Sequence, residues 1–459
     1  MMIFYVMILL FICGVVMIAL EDVLKINKAA VSIGMSILLW ILTIVSATGV
    51  FHQQLPEFFS NFVAGFPHFA ELSFVEQVYR FIEITITESL GDVSTTLFFV
   101  LASMAIIEIL DAHGSFSVIT HLITATDKRK LLWIFSLTTF FLSALLGNIA
   151  AVIVMIAVRH KLVGEKKDTL IYASMMIIAA NAGGSWSPIG DVTTLLLWTN
   201  KNITAVHQIS SLILPSAIMM AVPTLFCTFA FGKGEKAVLP EPAAAAALPA
   251  YITKRFQMQL LVIGLLSLAL VPVFQSIFDL PPFMGVLLGL VVLWIFTDLK
   301  AAKAKDDSAD ALKVSHLFSK LDLSTILFFL GILMSVKALD TIGVLTILSN
   351  GLSQLFENEE YIAMLLGVCS SFLDNVALVA ATMGMYPLEA AGVFATDSSF
   401  WTFLAYSCVT GGSLLIIGSA AGVTAMGLEK ISFGYYLKKF TPLAIAGYVA
   451  GAAVYLLLF

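Results

Sequence analysis

Of the 459 residues, 60% are hydrophobic and only 12% are charged, with a formal net charge of −6. Soluble domains are about half apolar and about 25% charged, so this composition excludes a soluble globular protein and indicates an all-α polytopic membrane protein. The small acidic excess argues against a nucleic-acid partner. Cys13, Cys227, Cys369 and Cys408 lie in apolar segments without CxxC spacing, which argues against a disulfide framework or a thiolate metal site.

In chain order, residues 2–20 and 29–50 read as the first two spans, since residues 2–20 lack the basic flank and cleavage site of a removable signal. Residues 51–92 are aromatic and acidic, and within them 74–86 could form an amphipathic surface helix. The third span is 94–110, followed by an interfacial stretch at 114–125. Residues 131–158 are interrupted by SALLGN (143–148), which suggests a re-entrant hairpin of two half-length helices.

The apolar run 170–198 is long enough to cross a bilayer, yet it contains Gly183, Gly184, Pro188 and Gly190 and then a carboxylate, Asp191. Pro188 cannot donate a backbone hydrogen bond, and each glycine costs roughly 1 kcal/mol relative to Ala, so the helix must break there. Freed backbone groups inside a membrane are tolerated only where they face protein or a polar cavity, and secondary transporters hold ions at such breaks. Next come a span at 209–231 and a Pro/Ala-rich linker containing PEPAAAAALP.

The second half repeats the first. Leu97, Met104 and Gly114 recur as Leu327, Met334 and Gly343. Ser143 and Asn148 recur as Ser370 and Asn375, and Gly183 and Gly190 as Gly411 and Gly418, with offsets of 227 to 230 residues. Three ordered matches at nearly one offset indicate an internal duplication. The expected fold is an inverted repeat of two five-span halves, each with a re-entrant hairpin and a broken helix. The divisions are a first repeat at 1–231 with its hairpin at about 131–158, a linker at 232–256, and a second repeat at 257–459 with its hairpin at about 360–384.

Charge placement supports this count. If each hairpin returns to its own side, all of the 24 Lys and Arg except Arg80, Lys201 and Lys337 fall on one side. By the positive-inside rule that side is cytoplasmic and both termini lie outside. Lys337 either contributes to function or snorkels to the interface. An odd number of crossings turns the second copy upside down, so the two hairpin tips and the two breaks should converge near the midplane. The oxygen-bearing groups gathered there would be Ser143, Asn148, Ser185, Asp191, Thr193, Ser370, Asp374, Asn375, Ser413 and Ser419. Hard cations prefer oxygen ligands, and two acids without a matching intramembrane Arg or Lys favour a cation over a carboxylate substrate. Glu108, Asp111 and His113 are either ordinary charges at a span end or a proton relay or pH sensor.

ANAGGSWSPIGDVTTLLLW, SFLDNVALVAATMGMYPL, GGSLLIIGSAAGVTAMGLEK and EILDAHGSF resemble the motifs of NhaD-type sodium/proton antiporters, in the superfamily that also holds dicarboxylate/citrate carriers. The resemblance runs from ALEDVLKINKAA onward. It implies exchange of cytoplasmic Na+ or Li+ for external protons in a bacterial cytoplasmic membrane, with no cofactor, Na+ held at Asp191, Asp374, Asn148 and Asn375, and a homodimer by analogy with the dicarboxylate carriers. Two positions depart from the family: Gly147 stands where an Asp is usual, and Ala377 where a Pro is frequent. The sequence thus reads as an antiporter and not an enzyme, with protons and Na+ competing for Asp191 and Asp374. The alternative is a Na+-coupled dicarboxylate, citrate or other anion carrier of the same superfamily, although neither hairpin tip carries the Ser-Asn-Thr pattern of those carriers.

Overall fold

The computed structural model describes residues 2–53, 57–65, 69, 71–238, 249, 251–304, 312–356 and 358–459. Among these residues the chain is helical, its helices joined by turns and short irregular segments, with two isolated bridges, Asp127–Lys236 and Glu389–Ala395. Among the described residues, seven helices are long and apolar enough to cross a membrane. The bent pair Lys254–Ala269 and Val271–Phe278 makes an eighth. That count includes Lys128–Leu146, the first arm of the expected hairpin. It omits Ile3–Ile18, which is too short, and the two helices broken by glycine.

The chain divides into two compact units. The first comprises Met1–Leu97, Asp322–Glu359 and Val376–Leu388. Here Lys28–Gln53 packs along Leu323–Thr341. Gly331 makes this possible, because a Cβ there would lie 2.5 Å from the Ser32 carbonyl carbon. The Thr43 hydroxyl donates to the Ala338 carbonyl at 3.3 Å, and Lys28 lies over the Phe328 ring. Phe51, Phe59, Phe62 and Phe81 pack ring on ring at 5.1 to 6.0 Å, covering the expected aromatic stretch. Lys337 faces Asp92 at 3.2 Å and is thus paired at the surface.

The long element Phe74–Ala112 differs from the sequence reading. The expected surface helix and third span are one continuous helix of 39 residues. Its interior has no proline and only one glycine, Gly91, so nothing forces a break where the polarity changes. At 1.5 Å per residue it is about 58 Å long, well beyond the ~30 Å hydrocarbon core.

The second unit comprises Phe98–Leu321, Glu360–Asn375 and Glu389–Phe459. Helices Lys128–Leu146 and Asn148–Leu162 both pack on Lys166–Ser185. The outer ends of the first two return to one place. Lys128 N–H donates to the Glu235 carbonyl and Ala237 N–H to the Thr126 carbonyl, while Gly164 N–H donates to the Val238 carbonyl. A single short segment, residues 235–238, therefore ties both arms of the helix pair at its mouth. The buried Lys128 ammonium reinforces the tie, lying 2.7 Å from Glu165, 2.7 Å from Asp168 and 2.6 Å from Glu235. Elsewhere in this unit, Ala205–Thr228 packs along Thr441–Leu458, where Gly447 and Gly451 let the backbones approach. The central residues of the sequence linker, 239–248 and 250, lie outside the described residues.

Removing a cation from a buried pair leaves an uncompensated charge, at a cost of about 3–5 kcal/mol. Lys128→Met should therefore lower the thermal midpoint in detergent, and adding Asp168→Asn should recover most of the loss. Hydrogen bonding to Lys128 holds Glu165 and Glu235 below the usual carboxylate range. Because their folded values are depressed, their contribution is present above the unfolded carboxylate value and disappears as pH falls through the folded values. The midpoint difference between the wild type and Lys128→Met should accordingly shrink in acid. A difference that is unchanged from neutral to acid pH would remove these carboxylates from the tie.

Candidate functional site

The run holding Asp191 folds as helix Lys166–Ser185, a break, and helix Val192–Thr199. Asp191 adopts an extended conformation and caps the second helix, its Oδ1 accepting from Thr193 N–H at 2.8 Å. This is what a short acidic side chain does at a helix N-terminus. The second copy folds in the same way. Helix Ser399–Gly411 breaks, and Ser419 caps Ala420–Glu429 by accepting from Gly422 N–H at 3.1 Å. Ser419 thus holds the place that Asp191 holds in the first copy.

The matched positions make matched contacts. Ser143 Oγ donates to the Ala180 carbonyl at 2.6 Å, and Ser370 Oγ donates to the Cys408 carbonyl at 2.7 Å. A Cβ on Gly183 would collide with the Phe140 carbonyl, and one on Gly411 with the Gly367 carbonyl. At Gly190 a Cβ would lie 2.8 Å from Gly184 Cα, and at Gly418 it would lie 2.8 Å from Ser371 Cα. At both places a helix, Lys128–Leu146 or Glu359–Cys369, therefore presses backbone-to-backbone against a broken helix, which only small residues permit.

Around Asp191 the second unit builds a buried polar network. Asn148 Nδ2 donates to Asp191 Oδ2 at 2.6 Å and to Asn181 Oδ1 at 3.1 Å. Asn375 Nδ2 reaches Asp191 Oδ1 at 3.4 Å. Asn181 Nδ2 donates to Ser413 Oγ and to Ser419 Oγ, both at 2.9 Å. Asp374, half-exposed, lies within electrostatic range of Asp191. The Thr193 hydroxyl is fully buried beside Asp191. Asn148 and Asn375 therefore meet at one carboxylate that is 6% exposed, and Asn181 links Asn148 to the serines of the second break.

Ser143, Ser370 and Ser185 occupy a different position in this arrangement. Ser143 and Ser370 donate to backbone carbonyls, and Ser185 Oγ contacts the Ala182 carbonyl at 2.8 Å and Ser216 Oγ at 2.7 Å, so they hold helices together around the network. Glu108, Asp111 and His113 sit at the end of Phe74–Ala112. Glu108 faces Lys320 at 3.8 Å, and His113 Nδ1 lies 2.8 Å from the Ile109 carbonyl, so that nitrogen carries a proton. Burial holds the His113 imidazole below its usual range. None of these described contacts reaches the Asp191 network.

Gly147, between the two arms of the first hairpin, has φ 84° and ψ 158°. That region is essentially restricted to glycine, so an Asp at this position would be strained. Asn181 is the residue that sequence reasoning missed. It is fully buried and joins Asn148 of the first hairpin to Ser413 and Ser419 of the second break. The available signal was its standing as the single amide in the apolar run 170–198.

A family model described as CitMHS, citrate transporter, matches residues 11–396. The chain is 38% identical to "Sodium/proton antiporter 1" of Arabidopsis thaliana over 98% of its own length and 72% of that protein's. It is 37% identical to "Sodium/proton antiporter 2" of the same plant, over 98% of both chains. It is also 28% identical to "Na(+)/H(+) antiporter NhaD" of Alkalimonas amylolytica, over 82% of this chain and 79% of that one.

Leaving a buried polar group without its partner costs about 1–3 kcal/mol. Asn181→Ala removes a partner from Asn148, Ser413 and Ser419 together, so the variant should unfold at lower temperature than Ser185→Ala, which loses its bonds to the Ala182 carbonyl and to Ser216 Oγ. Equal midpoints for the two variants would show that Asn181 is not the hub.

Proposed function

Because this chain belongs to the NhaD-type sodium/proton antiporters within the citrate-transporter family, we propose that it moves cytoplasmic Na+ or Li+ outward in exchange for external H+. The observation that carries this reading is the Asp191 carboxylate, buried in a membrane protein and met by donors that are neutral among the described contacts: two amides and a backbone N–H. A carboxylate in that position reaches neutrality by binding either a cation or a proton. Asp191 and Asp374 supply the charge, the side-chain oxygens of Asn148 and Asn375 and the Thr193 hydroxyl supply neutral ligands, and Na+ and H+ displace one another. Such competition couples the two fluxes, since the site cannot hold both together.

The matched contacts at the two hairpins and breaks support an inverted repeat of five spans per half, with repeats at 1–231 and 257–459. The shared mouth of the first helix pair supports reading it as re-entrant. The side rich in Lys and Arg faces the cytoplasm, both termini lie outside, and alternate exposure follows an elevator-like movement, in a homodimer by analogy with the dicarboxylate carriers. An anion carrier would instead have to seat its carboxylates beside Asp191 and Asp374, against like-charge repulsion.

In everted vesicles, Na+ or Li+ should dissipate a preformed proton gradient, and citrate should not. Asp191→Asn preserves size but removes the exchangeable charge, so exchange should vanish while membrane insertion persists. Near-normal Na+-driven proton movement in that variant would reduce Asp191 to a helix cap. Orientation is tested separately. In a background lacking the native cysteines, Ser319→Cys should react with an impermeant reagent only from the cytoplasm and Ser60→Cys only from outside. Reaction of both from one side would overturn the hairpin count.

A further inference from the structure

We infer that Arg159 and Glu429 form a positioning pair that sets the spacing of the cation ligands from the far end of the helices carrying them. This inference rests on the antiport reading above and identifies a further determinant of cation affinity in the same site.

Three helices converge on the Asp191 network. Asn148 begins Asn148–Leu162, Asn181 lies near the end of Lys166–Ser185, and Ser419 caps Ala420–Glu429. At the site, Asn181 joins all three through its bonds to Asn148 and Ser419. The helices pack on one another along their lengths. Three turns away they are joined again, by Arg159. Its guanidinium pairs Nη2 with Glu429 Oε1, donates from Nη1 to Thr169 Oγ1 at 3.1 Å, and reaches the Val163 carbonyl at 3.4 Å. Arg159 and Glu429 are 4% and 9% exposed. His160, whose side chain is half-exposed, places Nε2 3.0 Å from the same Glu429 oxygen.

The struts between the two junctions match. At 1.5 Å per residue, Asn148 to Arg159 spans about 16 Å, Ser419 to Glu429 about 15 Å, and Thr169 to Asn181 about 18 Å. Apolar packing between such helices is non-directional and tolerates sliding along the axis. A guanidinium fork is directional, and breaking a buried pair exposes each charge to an apolar surrounding. Arg159 therefore locks the axial register of the three helices, and with it the separation of the amide and hydroxyl oxygens of Asn148, Asn181 and Ser419. Neither charge touches the cation. Their effect is on the geometry of the groups that do.

The test is Na+-driven proton exchange in proteoliposomes, reading KM for Na+ separately from Vmax, with thermal midpoints measured on the same preparations. The double variant Arg159→Met/Glu429→Met leaves no unpaired charge and should fold. Its KM for Na+ should rise about tenfold with Vmax within about twofold, the scale at which groups that orient metal ligands act. The charge reversal Arg159→Glu/Glu429→Arg should recover part of the affinity, which a purely structural loss would not show. If the double Met variant does not fold, Arg159→Lys, which keeps the charge and loses the fork, decides by the same KM readout. A folded variant with unchanged KM, or one that loses only Vmax and thermal stability, overturns the inference. A wild type without Na+- or Li+-dependent proton movement would instead overturn the antiport reading itself.

Discussion

The structure depends on how a carboxylate is kept inside a membrane protein. An acidic group at bilayer depth costs about 2.5–3.5 kcal/mol even on insertion scales, so it persists only where surrounding groups satisfy it. Asp191 is satisfied by a backbone N–H at the start of a helix and by amides from two hairpins. The helix that it caps begins inside the second unit because the chain is broken at residues 186–191, where Pro188 and Gly190 disfavour a helix; Gly183 and Gly184 are still helical and serve close packing instead. The carboxylate and the break are thus one feature. The break exposes the N–H groups that the carboxylate needs, and the carboxylate occupies the polar gap that the break leaves.

Close approach of backbones follows from the same constraint. Gly183 against Phe140 and Gly411 against Gly367 bring each hairpin into contact with its broken helix without intervening side chains. Ser143 and Ser370 then use the short distance to bond across to the Ala180 and Cys408 carbonyls. The two copies share this scaffold yet differ at the cap. Asp191 in the first is Ser419 in the second, so the charge of the broken helices resides in one copy only.

The mouth of the first helix pair shows how the surface protects that interior. Residues 235–238 pair with both ends of the hairpin, and Lys128 gathers Glu165, Asp168 and Glu235 around one ammonium. Lys128 and Asp168, like Arg159 and Glu429, are buried charges that compensate one another. Among these described groups, charge without a basic partner is concentrated at Asp191.

How much of this was readable from the chain alone follows from which effects are local. Composition pointed to a membrane protein, Pro188 and Gly190 marked a break that folds at residues 186–191 rather than from Gly183, and the recurrence of Ser143 and Asn148 as Ser370 and Asn375 pointed to matched segments. All are properties of neighbouring residues or of simple repetition, and each needs only a few positions to be seen. The continuity of Phe74–Ala112 was not legible, because a change in polarity along a helix does not end it without a residue that breaks it. Asn181 as the hub, Thr193 as a buried hydroxyl and the pairing of Arg159 with Glu429 across 270 residues were settled only by folding. The physical reason is that hydrogen-bond partners of buried groups are chosen by packing in three dimensions. The sequence states which groups must be satisfied, and the tertiary structure decides by whom.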